Sequence, residues 1–443
     1  MTGSALFKSL LLILILVSIH LSYCGKKDPV SPNDTQPVET IADESIIPET
    51  VGFNIHITGP ESDLDRIKES GIKIVRKDLF WDTVERSKST YDFSRYDRLL
   101  GGLEKRRIRV LFILCYGNSL YPNPENTEEG RRAYARFAAE AVSHYKDHNV
   151  LWEIWNEPNV EHFWNGPGTH NSAEFADQYI ELVKTVVPAM REANPECYII
   201  GGSVSCLWVN SFHWLDRCFK QDLLESGINA LSVHPYGFAR PELCIEEGYG
   251  YLRMMLNKYG ASADFPVLNT EVGYNAEEEY LGPSYLRLEH QAWHFVRQYL
   301  VDLMCGIKMT IWYNWNDDFG FRLVDDDMSA LPVFNACQIL IEQLSGYHYV
   351  ERIYTDSTVD YILVFKNESG KRKLVCWTTP TNRDDTPEKA RRHSVSLTVD
   401  TKTDVVDLYD IYGEKSSTEV VQGEITLSVS GSPLYIDLDN EPK

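Results

Sequence analysis

The segment VLWEIWNEP, residues 150–158, is an apolar run that ends in a polar Asn-Glu-Pro. A short, continuously apolar run of this kind is typical of a parallel strand that is buried on both faces. Seven other runs of the same character occur between Val51 and about residue 345, and segments of helical periodicity separate them. In chain order the eight runs begin at Val51, Ile72, Ile108, Val150, Cys197, Ile228, Pro266 and Ile307.

The number and spacing of these units predict a (β/α)8 barrel, or TIM barrel, over residues 51–345, because eight strand–helix units in about 300 residues match the size of that fold. The predicted helices are Glu61–Ser70, Ser94–Arg106, Thr127–Asp147, Ala173–Ala193, Ser211–Ser226, Pro241–Tyr259, Pro283–Met304 and Pro332–Leu344. A doubly wound open sheet is the alternative, but the first strand–helix turn lacks the Gly-rich loop that holds phosphates in such sheets.

After Ser345 the pattern changes to short segments of alternating polarity, separated by turn residues such as ESGK and YGEK. This pattern predicts an antiparallel β-sandwich over residues 346–443. We interpret it as a stabilising accessory domain rather than a carbohydrate-binding module.

The N-terminus predicts export. The apolar run after Lys8 has the length of a signal-peptide core and is too short to span a membrane comfortably. It ends at Leu-Ser-Tyr-Cys24-Gly, which resembles a bacterial lipobox, so we predict a signal peptide over residues 1–24 and lipidation of Cys24. A plain secretion signal with an incidental Cys24 is the alternative. Residues 25–50 are rich in Pro, Asp, Glu and Thr and predict a disordered tether to the cell envelope.

Composition excludes some partners. The formal net charge of -22 over 443 residues disfavours nucleic acid, which a protein binds through positive charge. Membrane contact is expected only through the lipid anchor. The cysteines form no CxxC pair and no His/Cys cluster with zinc spacing, so we interpret them as buried thiols. The acidic group Asp317, Asp318 and 325–327 fits no calcium-loop motif and predicts a solvated face. We therefore expect neither a metal nor a cofactor.

Two glutamates lie at positions where a TIM barrel has its active site. Glu157 ends the fourth predicted strand and Glu271 ends the seventh, and barrel active sites lie at the C-terminal ends of the strands. Cleavage of a glycosidic bond with retention uses two carboxyl groups about 5 Å apart, on opposite sides of the anomeric carbon. The pair therefore predicts a retaining glycosidase that acts on a carbohydrate.

The segment WEIWNEPNVEHFW, Trp152–Trp164, resembles the acid/base segment of the clan A glycoside hydrolases, which include families 5, 39 and 51, and it is closest to family 39. Cys197–Ser203 (CYIIGGS) is similar to the fifth strand of that family. The resemblance implies that Glu157 is the general acid/base and Glu271 the nucleophile. Many family 39 xylosidases have Thr-Glu-Trp at the nucleophile, whereas this chain has Thr-Glu-Val-Gly, which is nearer to family 5 and to the exopolysaccharide hydrolases.

The resemblance also implies supporting roles. Asn156 would bind the sugar 2-hydroxyl, a contact that strengthens in the transition state. His234 and Tyr236 resemble the His-x-Tyr of the clan, in which the tyrosine holds the nucleophile. Arg76 resembles the clan arginine beneath the nucleophile, and Glu271 would be its anionic partner.

Other candidates for substrate binding lie at strand ends and on loops. His56 ends the first strand and is a weaker candidate of the same kind as Arg76. Trp312 and Trp315 follow the eighth strand, and Trp81 and Trp164 lie on loops at the barrel top, so these rings are candidate platforms for sugars. Because residues three apart in a strand face opposite sides, only one of Trp312 and Trp315 is expected to touch substrate.

Two alternatives of another class remain at this point: a glycan-binding surface lipoprotein without catalysis, and a structural or adhesion lipoprotein on a decayed barrel. The presence of both Glu157 and Glu271 argues against each. Exo and endo cleavage are both compatible with the sequence.

Overall fold

The computed structural model describes residues 47–57, 59–277, 284–316, 320–382, 385–386 and 389–439. The predicted signal peptide, Cys24 and most of the predicted tether lie outside these residues, as do Asp317 and Asp318. Ile47 is buried and forms a β-bridge with Ser345, so residues just before the first strand already pack against the barrel.

Eight parallel strands close into a barrel in chain order, with β1 hydrogen-bonded to both β2 and β8. The predicted (β/α)8 barrel is therefore confirmed. Strands β1 to β8 cover Val51–Asn54, Ile74–Phe80, Arg109–Cys115, Val150–Ile154, Tyr198–Ser205, Ala230–His234, Val267–Val272 and Thr310–Trp312.

Helices lie between the strands, close to the predicted positions. Helices α1 to α9 cover Glu61–Glu69, Trp81–Val84, Ser94–Glu104, Glu128–His144, Ala173–Ala193, Val209–Lys220, Tyr251–Lys258, Ser284–Met304 and Pro332–Leu344. The two long helices α4 and α5 begin at side-chain caps: Thr127 Oγ1 accepts from Gly130 N at 3.1 Å, and Ser172 Oγ accepts from Phe175 N at 3.3 Å. A 3-10 turn at Pro241–Leu243 and a π-helical turn at Ile245–Gly250 lead into α7.

The inside of the barrel is apolar towards the N-terminal ends of the strands and polar towards their C-terminal ends. Ile74 and Leu151 belong to an apolar cluster that fills its lower part. Because side chains alternate along a strand, Arg76 and Glu153 come two residues later on the same inner face, nearer the C-terminal mouth. The fold thus places its buried charges directly below the predicted active site.

The C-terminal residues form antiparallel sheets, which confirms the predicted β-domain. A six-stranded sheet has the order β14-β13-β16-β11-β10-β9, and β12 pairs with β15 in a separate two-stranded sheet. Strands β9 to β16 cover Tyr347–Arg352, Asp360–Asn367, Arg372–Thr378, His393–Thr398, Val405–Tyr409, Lys415–Glu419, Glu424–Val429 and Leu434–Asp437.

Both faces of the six-stranded sheet are covered. Phe365 and Trp377 lie in the same apolar core as the barrel helices, whereas Ile362 and Leu374 pack with β12 and β15. A buried ion pair reinforces the contact with the barrel. Arg297 Nη2 of α8 donates to Glu242 Oε2 at 2.7 Å, and Trp377 Nε1 donates to Glu242 Oε1 at 2.7 Å.

The eight cysteines between Cys115 and Cys376 are all unpaired, and six of them are buried, so within the described residues they act as small apolar side chains. Within the same residues, no helix has both the length and the apolar character needed to cross a membrane.

Asp302 of α8 is a buried carboxyl that fastens the helix to two neighbouring strands. It accepts hydrogen bonds from Asn269 Nδ2 of β7 at 2.8 Å and from Thr310 Oγ1 of β8 at 2.7 Å. Tyr249 and Gln298 donate to it as well. Burial raises the pKa of Asp302 to about 6, although these four hydrogen bonds act in the opposite direction.

We expect Asp302 to make stability depend on pH. Because the pKa of Asp302 is raised on folding, the contribution of this carboxyl to the free energy of unfolding is complete below about pH 4. That contribution is lost as the pH rises through about 6. Relative to Asp302→Asn, which does not titrate, the wild-type free energy of unfolding should fall by about 3 kcal/mol between about pH 4 and pH 7. Urea unfolding of both proteins across this range measures the difference, and a difference that does not change with pH would contradict the assignment.

Candidate active site

The two predicted carboxylates meet at the mouth of the barrel. Glu157 follows the end of β4, and Glu271 lies in β7. A carboxylate oxygen of each lies within 4.8 Å of the other and of a ring nitrogen of His234. The pair is therefore as close as the retaining mechanism of glycosidases requires.

Arg76 of β2 lies beneath this pair and is almost completely buried. Its Nη1 donates to Glu271 Oε2 at 2.7 Å, and its Nε donates to Glu153 Oε2 at 2.7 Å. Its Nη2 donates to Asn156 Oδ1 at 2.8 Å. Burial alone would lower the pKa of Arg76, but the two carboxylates more than reverse this effect and raise it, so the guanidinium keeps its charge. The predicted pairing of Arg76 with Glu271 is thus present.

Sequence reasoning missed Glu153, the second anionic partner of Arg76. Glu153 is fully buried on the inner face of β4, and its Oε1 accepts from Thr270 Oγ1 at 2.8 Å. The sequence did contain an indication of this role, because Glu153 stands in the middle of a continuously apolar strand. A buried glutamate there needs a cationic partner inside the protein.

His234, at the end of β6, holds the predicted acid/base. Its Nδ1 lies 2.8 Å from Glu157 Oε1, and its Nε2 lies 3.4 Å from Arg76 Nη2 and 3.3 Å from Ser203 Oγ. Nε2 also lies 3.1 Å from Thr270 Oγ1, so the ring is held at both nitrogens. His234 therefore orients the carboxylate and is not simply a core histidine.

Tyr236 holds the other carboxylate. Its hydroxyl donates to Glu271 Oε1 at 3.2 Å, as the resemblance implied. Burial raises the pKa of Tyr236 well above its ordinary value, so the hydroxyl stays protonated and remains a donor.

A bulge in β5 explains the Gly-Gly-Ser motif. The register with β6 shifts between Gly201 and Val204, and Gly202 has a φ of +102°. A Cβ on Gly202 would lie 2.8 Å from the carbonyl oxygen of Ser232, so the position needs glycine. The bulge places Ser203 Oγ 3.4 Å from the backbone N–H of Glu157, which itself has a φ of 44°. Strained backbone of this kind clusters at functional sites.

The structure places the four candidate tryptophans in the core and not on the cleft surface. Trp81, Trp164, Trp312 and Trp315 are each at most 1% exposed. Their indole N–H groups donate to Glu85 Oε2 at 2.6 Å, Gln178 Oε1 at 2.8 Å, Phe321 O at 3.4 Å and Asp63 Oδ1 at 3.4 Å, respectively. This placement differs from the predicted stacking role, because a large aromatic near a strand end can equally fill the space between strand and helix.

The rim carries other polar and aromatic groups. His56 is half exposed at the end of β1, and its Nδ1 lies 3.5 Å from Asp78 Oδ2 of β2. The ring centroid of Tyr313, which follows β8, lies 5.7 Å from that of His56. The sequence analysis did not identify Asp78 and Tyr313. Their position at a strand end was the only indication that the sequence offered.

Burial and two basic neighbours set the electrostatics of Glu271. Burial raises the pKa of Glu271, while His234 and the guanidinium of Arg76 oppose this shift. Within the described residues, one group of side chains brings three possible metal ligands within 4.8 Å of one another. Its members are Glu157, His234 and Glu271. Because Arg76 already compensates Glu271, a further cation at this group would be repelled.

Comparisons with known proteins agree with this geometry. A family model described as cellulase, glycosyl hydrolase family 5, matches residues 41–318. Among solved structures, the chain is similar to a family 39 glycoside hydrolase from the gut symbiont Bacteroides cellulosilyticus WH2, with 22% identity and a TM-score of 0.72 over 90% of this chain and 82% of that one.

Two other solved structures share the fold. One is a monomeric beta-xylosidase from Caulobacter crescentus CB15, with 12% identity and a TM-score of 0.66 over 90% of this chain and 98% of that one. The other is a conserved exported protein from Bacteroides fragilis, with 12% identity and a TM-score of 0.62 over 89% and 97%. Together with the family match, they confirm the predicted resemblance to clan A.

We expect Arg76→Met to move the acid limb of the pH profile of kcat/KM upward by about one unit or more, because loss of the neighbouring cation raises the pKa of Glu271, the predicted nucleophile, further. The double variant Arg76→Met/Glu153→Gln is the matched control for folding, since it leaves no uncompensated Glu153. It should show the same upward shift. An unchanged acid limb in a folded double variant would mean that Arg76 does not set the ionisation of Glu271.

Proposed function

The chain belongs to the cellulase family, glycosyl hydrolase family 5, and is therefore a glycosidase; we propose that it cleaves O-glycosidic bonds of a poly- or oligosaccharide with retention, by double displacement. The observation that carries this proposal is the closeness of Glu157 and Glu271, whose oxygens come within 4.8 Å. Inverting enzymes keep their carboxyl groups roughly 6.5–9.5 Å apart to admit a water molecule between carboxylate and sugar. A pair this close favours direct attack by one carboxylate.

In the first step, Glu271 attacks the anomeric carbon while Glu157 protonates the departing oxygen. Arg76 and Tyr236 donate to the two oxygens of Glu271, which orients the carboxylate and favours its ionised form. In the second step, Glu157 removes a proton from water, which attacks the glycosyl ester and releases Glu271.

Asn156 is suited to the contact with the sugar 2-hydroxyl. Arg76 donates to its Oδ1 and so fixes the orientation of the amide. This arrangement leaves Nδ2 as the group that can donate to substrate. Tyr313, which is partly exposed on the rim, is our candidate for the stacking platform in place of the buried Trp312.

Removal of each carboxylate should affect turnover in a different way. Glu271→Ala should abolish turnover of every substrate, because no nucleophile remains. Glu157→Ala should lose about a thousandfold on an oligosaccharide, yet it should still form the glycosyl-enzyme rapidly from a 2,4-dinitrophenyl glycoside, whose leaving group needs no proton. Stopped-flow release of dinitrophenolate measures the first step, and Glu161→Ala, an exposed glutamate in the same loop, is the matched control.

Azide should rescue Glu157→Ala, because this small anion attacks the intermediate without a general base. The product should be a glycosyl azide of retained configuration, identified by proton NMR. If Glu157→Ala loses both substrates equally and azide has no effect, the assigned roles are wrong. An inverted first product from the wild type would instead exclude double displacement.

We also propose that the chain is exported and held at the cell envelope through Cys24. The similar fold of a protein described as exported, from Bacteroides fragilis, supports export in general terms. Cys24→Ala should move the protein from the membrane fraction to the soluble fraction and leave hydrolysis intact, because the barrel begins near Val51. Cys305→Ala, which changes a cysteine of the barrel, is the control and should stay with the membranes. An unchanged distribution of Cys24→Ala would contradict the anchor.

A further inference from the structure

Positive charge is concentrated in one part of this acidic chain. Residues 86–109 contain eight Lys or Arg and three Asp or Glu, a formal charge of +5, whereas the whole chain carries -22. These residues form the segment that joins α2 to α3, helix α3 itself and the loop that leads into β3. None of the catalytic steps described above uses their charge.

Four of these cations form an exposed surface, called here the α3 patch. Two lie on α3 and two follow its end, and none of the four forms an ion pair with a described residue. Residues seven positions apart in a helix lie on the same side, about 10 Å apart, so the patch continues along the outer side of α3 and past its end. Its members are Arg95, Arg98, Lys105 and Arg107.

The stability of α3 does not explain this arrangement. A cation at the C-terminal end of a helix interacts favourably with the helix dipole, which accounts for Lys105. Arg95, however, lies in the first turn, where a cation is unfavourable, and Arg98 follows at a spacing where like charges repel. The neighbouring Asp97 contacts α4, where its Oδ1 lies 2.8 Å from His144 Nε2. Folding therefore gains little from the arginines of the patch, and they are available to an anionic partner.

The chain enters the barrel near this patch. Ile47 forms a β-bridge with the residue that follows α9, just before β1 begins. Strands β1, β2 and β3 are adjacent, and a backbone hydrogen bond of 2.7 Å joins the start of β3 to the loop before β2. Lys105 and Arg107 therefore lie at the N-terminal ends of the strands, two loops away from the point where the chain arrives from Cys24.

We propose that the α3 patch docks on the anionic phosphate headgroups of the bilayer that holds the proposed lipid anchor at Cys24. This contact is additional to the anchor, which the sequence analysis took as the only link to the membrane. It rests on the proposed anchor and not on the glycosidase mechanism. Residues 25–46 can span at most about 75 Å, so an anchored chain keeps the patch within reach of the headgroups at a high effective concentration.

The net charge of -22 does not prevent this contact. At physiological salt, charges more than about 8 Å from the bilayer are largely screened, so the charges at the contact decide the outcome. Each Lys or Arg near an anionic surface strengthens binding about fivefold. Docking through the N-terminal ends of the strands would leave Glu157 and Glu271, at the opposite end of the barrel, facing the aqueous phase.

The orientation of the barrel on a bilayer tests the proposal. The full-length lipidated chain is placed on vesicles of phosphatidylcholine, either pure or with about one third phosphatidylglycerol. A fluorescent donor is attached through p-azidophenylalanine at Asp147, exposed in the loop before β4, or at Glu161, exposed in the loop after it. Energy transfer to a lipid-bound acceptor reports which end of the barrel lies near the bilayer. Phosphatidylglycerol should increase the transfer from position 147 about twofold but not from position 161, and about 1 M NaCl should abolish the increase.

Three substitutions in the patch should remove this response. Arg98→Gln/Lys105→Gln/Arg107→Gln should weaken docking about a hundredfold, so the phosphatidylglycerol-dependent increase disappears. The matched control removes three exposed cations that have ion-pair partners elsewhere and should respond as the wild type does; it is Arg132→Gln/Arg217→Gln/Lys415→Gln.

Three results would overturn the proposal: no effect of phosphatidylglycerol on the wild type, an unchanged increase in the patch variant, or an equal loss in the control. If phosphatidylglycerol has no effect but polygalacturonate binds the wild type and not the patch variant, the patch is a site for an anionic glycan instead. Failure of the anchor is distinguished by flotation. A wild type that does not float with pure phosphatidylcholine vesicles would contradict the anchor at Cys24. Flotation with the phosphatidylglycerol vesicles would then test the patch directly, because the wild type and the control should float and the patch variant should not.

Discussion

One buried cation organises the active site. The guanidinium of Arg76 reaches Glu153, Glu271 and Asn156 from a single position on β2, and each contact is 2.8 Å or shorter. Its planar fork of five donors makes this possible, whereas a lysine would offer a single charged point. The orientation of Glu271, the proposed nucleophile, and that of the Asn156 amide therefore depend on the same group.

The β-domain is tied to the same end of the barrel. Glu242 lies in the segment that follows β6, and it accepts from Arg297 of α8 and from Trp377 of the β-domain. Arg240 joins the same segment to the loop that carries Asp385. Because β6 ends in His234 and Tyr236 follows it, the domain contact supports the segment that holds both Glu157 and Glu271.

The sequence was sufficient to predict the barrel because its strands are apolar on both faces, and it indicated that Glu157 and Glu271 meet at the barrel mouth because a polar strand end stands out against such runs. It did not reveal β9 and β14, the two edge strands of the C-terminal sheet, because edge strands need little apolar alternation: β14 reads KSSTE. The burial of Trp312 could not be predicted either, because its indole N–H finds a backbone acceptor inside the protein. Such a partner is set by tertiary structure and has no local signal.

The buried pair of Arg76 and Glu153 is better explained by function than by stability. Moving two charges out of water costs about as much as their attraction returns, and well-packed apolar residues in place of a buried ion pair are often neutral or stabilising. The layer below, with Ile74 and Leu151, shows that the same strands accept apolar residues on their inner face. An apolar upper layer would close the barrel equally well, but it would leave Glu271 as a buried carboxylate without a cation. The ion pair thus gives Glu271 a fixed, charged partner, at little net gain in folding free energy.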